Sequence, residues 1–122
     1  KTNRLFAGCG NKQLIVLNAA NGKVINKLPI GDGCDGIAFD KTTGNIFASN
    51  GEGTLSIYHE KDANHFEKVM TLPTRRGART ITVDEETHKV YVPTAEFEPQ
   101  PANDKQRPKM KAGTFQVLVI GQ

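Results

Sequence analysis

Apolar positions along the chain come in short runs separated by turn residues. Arg4 to Gly8 is apolar and is followed by Cys9-Gly10-Asn11. Gln13 to Asn18 (QLIVLN) is rich in β-formers and ends at Ala19-Ala20-Asn21-Gly22, and Asn-Gly is a strong hairpin signal. Lys23 to Ile30 alternates and runs into the Gly31-Asp32-Gly33 turn. Asp35 to Asp40 sets Ile37 and Phe39 on one face. Asn45 to Ser49, Thr54 to Glu60, Phe66 to Leu72, Arg79 to Asp84, Lys89 to Pro93 and Thr114 to Ile120 repeat the pattern. No segment keeps a helical period over three turns. The pattern predicts an all-β chain of about ten short strands.

The runs also recur in register. Leu28-Pro29 returns as Leu72-Pro73, Gly33 as Gly77, Ile37 as Ile81, Asp40 as Asp84 and Ile46-Phe47 as Val90-Tyr91, each 44 residues on. A second offset, of 41, links Leu5-Phe6-Ala7 to Ile46-Phe47-Ala48, Gly10 to Gly51 and Val16 to Ile57. The difference falls around Asp62 to His65. A repeat of this length holding four strands predicts a β-propeller blade.

The sequence of the repeat resembles the YVTN-type repeat of bacterial β-propeller proteins. The resemblance rests on Ile46-Phe47-Ala48-Ser49-Asn50 followed by Gly53-Thr54-Leu55-Ser56-Ile57. It also rests on Lys23-Val24, Leu28-Pro29-Ile30-Gly31 and Gly36-Ile37-Ala38-Phe39-Asp40. Lys89-Val90-Tyr91-Val92 fits less closely, with Pro93 where Asn is usual. Naming blade strands A (innermost) to D (outermost), the resemblance implies the order B, C, D, then A, B, C, D, then A, B, C. One domain, residues 1–122, would then hold a partial blade (1–31), a full blade (32–74) and a last blade (75–122) with a loop insertion at 94–113. An open wedge of this kind leaves sheet faces uncovered, so the expected partners are the remaining blades of a longer propeller, of seven blades, or further copies of the chain.

Composition narrows this little. The 122 residues carry a net charge of +3, with no Trp and no apolar run long enough to span a membrane. The basic residues are too dispersed for a nucleic-acid stripe. Two cysteines, Cys9 and Cys34, fall on neighbouring blades, and a disulfide between them would suit a periplasmic or extracellular protein. Free thiols are the other reading.

In a propeller the B–C and D–A connections share one face. Here that face is irregular, as binding faces usually are. It carries Asp32-Gly33-Cys34-Asp35, Asn50-Gly51-Glu52 and Arg75-Arg76-Gly77-Ala78-Arg79. It also carries the insertion, since Phe47 to Leu55 spans eight residues but Tyr91 to Phe115 spans 24. Arg75, Arg76 and Arg79 could hold a carboxylate or phosphate near the channel mouth, or could pair with Asp32, Asp35 or Glu52. Arg79, opening an innermost strand, is the one expected to point into the channel. Asp40 and Asp84 precede short A–B turns and suit turn N–H groups. His59, His65 and His88 lie near turns of the plainer face, without metal-binding spacing, and are expected to be solvated.

The resemblance implies a non-catalytic binding or scaffold propeller without a cofactor, taking an unknown protein or small-molecule ligand at the loop-rich face. The alternative is a lactonase-like hydrolase with a divalent metal in the channel. Asn50, Glu52 and Asp35 carry the hard oxygens for such a site, and missing blades would supply the rest.

Overall fold

The computed structural model describes residues 3–78, 80–97 and 109–121. Among these there is no helix. The strands are β1 (Arg4–Cys9), β2 (Gln13–Asn18), β3 (Val24–Pro29), β4 (Cys34–Asp40), β5 (Asn45–Asn50), β6 (Thr54–Asp62), β7 (His65–Pro73), β8 (Thr82–Val83), β9 (Val90–Thr94) and β10 (Gln116–Ile120). They form three separate antiparallel sheets in sequence order: sheet I, β1-β2-β3; sheet II, β4-β5-β6-β7; and sheet III, β8-β9-β10. The three-four-three division matches the strand order that the resemblance implies.

Strand alternation explains how the sheets stack. On β5, Ile46 and Ala48 face sheet I and Phe47 faces sheet III. Leu14, Val16 and Leu28 of sheet I complete the first core with Tyr58. Leu55, Ile57, Val90 and Val92 complete the second with Leu118 and Ile120. Each buried aliphatic side chain stabilises its interface by roughly 1.5–3 kcal/mol. Tyr58 adds a polar bolt, its hydroxyl donating across the first interface to the Pro29 carbonyl. The residues that separate the two repeat offsets lengthen the β6–β7 hairpin. Its tip reaches back to sheet I, where Arg4 donates to the Ala63 carbonyl at 2.6 Å and to Asn64 at 3.0 Å. Phe66, beside that tip, meets Phe6 edge-on, with ring centroids 6.2 Å apart.

Four expectations need correction. Cys9 and Cys34 are free thiols. A Cβ on Gly8 would sit 2.4 Å from the Cys34 sulfur, so the Gly8 face of β1 is the one that meets Cys34. Alternation puts Cys9 on the opposite face, with its thiol directed to the Ala7 carbonyl. Burial pushes the Cys34 thiol up, with Asp35 and Cys9 adding to it against the bond to Gly36.

The second correction concerns register. Val117 stands opposite Pro93 as Leu55 stands opposite Ser49, so Val117 is Leu55's counterpart and Phe115 lies before the strand. The third follows from the same ladder. Thr94, opposite Gln116, takes the place of Asn50, opposite Thr54, and Pro93 takes that of Ser49. The fourth is Tyr91, which the repeat predicts to be a buried equivalent of Phe6 and Phe47. It shares the register of Phe6 and Phe47, but it faces the open side of sheet III and is only half-buried.

The A–B turns hold a contact that sequence spacing did not suggest. Asp40 Oδ1 accepts from the N–H groups of Thr42 and Thr43, and Asp84 Oδ1 accepts likewise from Glu86 and Thr87. Asp40 Oδ2 also takes His88 Nδ1 at 2.6 Å, across the sheet II–III interface. Asp40 is 1% exposed and His88 40% by side chain. Burial alone would raise the Asp40 carboxyl. The bonds from His88, Thr42 and Thr43 outweigh it and hold the carboxyl below its ordinary value of 3.8.

A carboxyl with a depressed folded pKa stabilises fully above its unfolded value and loses that contribution as pH falls through the folded one. Asp40→Asn should therefore lie about 1–3 kcal/mol below the wild type at neutral pH. The gap should close on acidification below pH 3.8. Urea unfolding at a series of pH values measures it. A gap that stays constant into acid would show that the charge of Asp40 contributes nothing.

Candidate functional site

The irregular loops do share one face, and backbone hydrogen bonds join them into an arc. In sheet I the Ile30 N–H donates to the Lys12 carbonyl at 3.0 Å. The matching bond in sheet II runs from Thr74 N–H to the Gly53 carbonyl at 2.7 Å. Gly51 N–H donates to Gly33 and Gly77 N–H to Gly51, at 2.9 and 2.8 Å, so the Gly51–Gly53 loop is held from both sides.

Two glycines make this close approach possible. Gly53 has φ 109°, and a Cβ there would lie 3.1 Å from the Arg76 nitrogen. Gly77 has φ 84°, and a Cβ there would lie 2.5 Å from the Phe97 ring. Both conformations are ones that glycine adopts at no steric cost.

The root of the insertion is fixed to the same arc. Phe97 bridges Met110, and Lys111 N–H donates to the Glu96 carbonyl at 2.8 Å. Thr114 ties the two ends: its hydroxyl accepts from Glu96 N–H at 3.0 Å and contacts the Lys111 carbonyl at 2.6 Å. Thr94 donates to the Arg76 carbonyl at 3.4 Å. The base of the insertion therefore sits on the Arg75–Ala78 loop. Phe97, Thr94 and Thr114 are residues that sequence reading missed. The match of Thr94 to Asn50 was available from the 44-residue offset; the meeting of Phe97 with Gly77 was not.

The candidate side chains divide by role. Arg75 and Arg76 are exposed, and among the described residues neither makes an ion pair with Asp32, Asp35 or Glu52. Glu52 is engaged elsewhere. Its carboxylate accepts from Asp32 N–H at 2.6 Å and from the Thr54 hydroxyl at 2.9 Å. Those two bonds, and Lys12 nearby, hold its carboxyl below the usual range. Asp35 is exposed.

Asn50 is completely buried and donates to Thr54 and Ser56 at 3.1 and 3.0 Å, which makes it a clamp within the loop base. Its Oδ1, like the Oγ1 of Thr74 beside Arg75, is buried without a hydrogen-bond partner. Arg79 and most of the insertion, residues 98–108, lie outside the described residues. Among those described, no group of three or more His, Cys, Asp or Glu side chains gathers as metal ligands would.

No protein-family profile matches the chain, and no curated protein matches it in sequence. Solved structures do match its fold. A chain of the mitotic checkpoint complex superposes with a TM-score of 0.66 at 20% identity, over 75% of this chain and 30% of that one. A chain of hydrazine synthase from Kuenenia stuttgartiensis superposes with a TM-score of 0.65 at 13% identity, over 74% of this chain and 25% of that one. These are β-propeller proteins, and the three sheets correspond to propeller blades. The chain spans less than a third of either neighbour's length.

Proposed function

We propose that these blades belong to a binding scaffold that takes an acidic protein segment at the arc of D–A and B–C loops. The observation that carries this reading is the exposed Arg75–Arg76 pair, unpaired among the described residues and seated on a hydrogen-bonded loop. A guanidinium held without a carboxylate partner is ready for bidentate contact with one. The base of the insertion, anchored by Phe97 beside the pair, gives the arc a raised rim. One structural neighbour is part of a mitotic checkpoint complex, where a propeller of this build works within a protein assembly. The YVTN-type identity of the repeat, with the bacterial export it implies, belongs to the same proposal and rests on Ile46 to Ile57.

The probe is a fluorescent oligoglutamate peptide, followed by anisotropy at low salt. The wild type should bind it saturably. Arg75→Ala with Arg76→Ala should weaken binding at least about tenfold, or about 1.4 kcal/mol. Lys61→Ala, on the β6–β7 hairpin, should leave binding unchanged. Failure of the wild type to saturate, or an equal loss in Lys61→Ala, overturns the reading.

A further inference from the structure

Sheets I and III each leave one face uncovered, and those faces are repeats of the two that already pack inside the chain. Sheet II meets sheet III through Phe47, Leu55 and Ile57. By strand register their counterparts on sheet III are Tyr91, Val117 and Val119, which point outward; Val117 is 47% and Val119 57% exposed. The opposite half of the contact is made by Val90, Val92 and Ile120. Their counterparts on sheet I are Leu5, Ala7 and Leu17, and Leu5 is 55% exposed. Each copy thus carries both halves of one known interface, one on each flank.

A polar contact carries the same message independently. Asp40 bonds His88 of the next sheet through Oδ2. Asp84 repeats Asp40, with Oδ1 on the same two turn N–H groups, but no described residue of another sheet bonds its carboxylate as His88 bonds Asp40. The position of His88 is occupied by Gly44 in sheet II and by Asn3 in sheet I. All three have left-handed backbone, with φ of 62°, 77° and 59°. On the leading edge of sheet I, Asn3 is therefore placed to donate its side-chain amide to an Asp84 from outside the chain.

We propose that the outer face of sheet III docks head to tail on the outer face of sheet I of a second copy. A head-to-tail contact either closes into a ring or grows without limit. Propellers typically close with about 4–8 blades. Two copies supply six sheets from the three in each, whereas a third copy would exceed the range, so the assembly is a closed dimer.

Light scattering on a sizing column tests this. The wild type should run at twice the chain mass at micromolar concentration. Val119→Glu and Leu5→Glu, each on one flank, should abolish the dimer. An equimolar mixture of the two variants should regain it, because one of the two interfaces then joins two unaltered faces. A variant that unfolds alone and refolds on mixing counts the same way. A monomeric wild type overturns the proposal and leaves further repeats of a longer chain to cover the flanks. A mass above the dimer, or variants that keep the wild-type mass, also overturns it. Neither result bears on peptide binding by Arg75 and Arg76, which lie on the loop face.

Discussion

Truncating Phe47 to alanine should destabilise the protein by about 3–5 kcal/mol, as removal of a core aromatic does. Phe47 is 7% exposed and fills the centre of the sheet II–III interface among Leu55, Ile57, Val90 and Val92. Its loss opens a cavity between two sheets whose backbones are fixed by their own ladders and cannot collapse freely. Tyr91 has the same register in sheet III but faces outward. In the dilute, unassociated chain Tyr91→Ala should cost less than about 1 kcal/mol. Urea midpoints of the two variants measure the contrast. A loss under about 1 kcal/mol for Phe47→Ala would mean that the register linking the sheets is wrong.

Gly31→Ala should destabilise the protein by about 1–3 kcal/mol. A Cβ there would lie 2.5 Å from Thr54 Oγ1 and 2.7 Å from Asn50 Nδ2. Asn50 is fully buried, so it has nowhere to move without breaking its bonds to Thr54 and Ser56. Gly31 N–H also donates to Ser56 Oγ at 3.3 Å, so a shift at Gly31 would disturb the whole loop base. Gly10, in the β1–β2 loop of sheet I, has no atom within 4 Å of its added Cβ. Gly10→Ala should leave thermal unfolding within about 0.5 kcal/mol of the wild type. Equal effects of the two substitutions would mean that Gly31 is not in contact with the Asn50 clamp.

The loops were legible in the sequence but their bonding was not. Turn residues marked the loops, and the propeller strand order implied which of them share a face. They did not tell that Glu52 spends its carboxylate on Asp32 N–H and Thr54 while Arg75 and Arg76 stay open to solvent. Three neighbouring charges allow several pairings, and the choice depends on side-chain direction. The same holds for Asn50, a hard-oxygen candidate by type that the fold turns inward. It holds also for His88, a turn residue by position whose partner lies 48 residues earlier in the chain.

The sequence by itself determined the short strands and a four-stranded repeating unit, through alternation and the 41- and 44-residue offsets, both of which survive any rearrangement of the sheets. The order of strands within each sheet was implied by the resemblance to propeller repeats. Only the tertiary structure decided which side of each strand meets a neighbour. That choice buries Phe47 and leaves Tyr91 half open, parts Cys9 from Cys34, and joins Asp40 to His88. The physical reason is that alternation fixes two faces without saying what stands opposite either one, and contact energies arise only when a second sheet arrives.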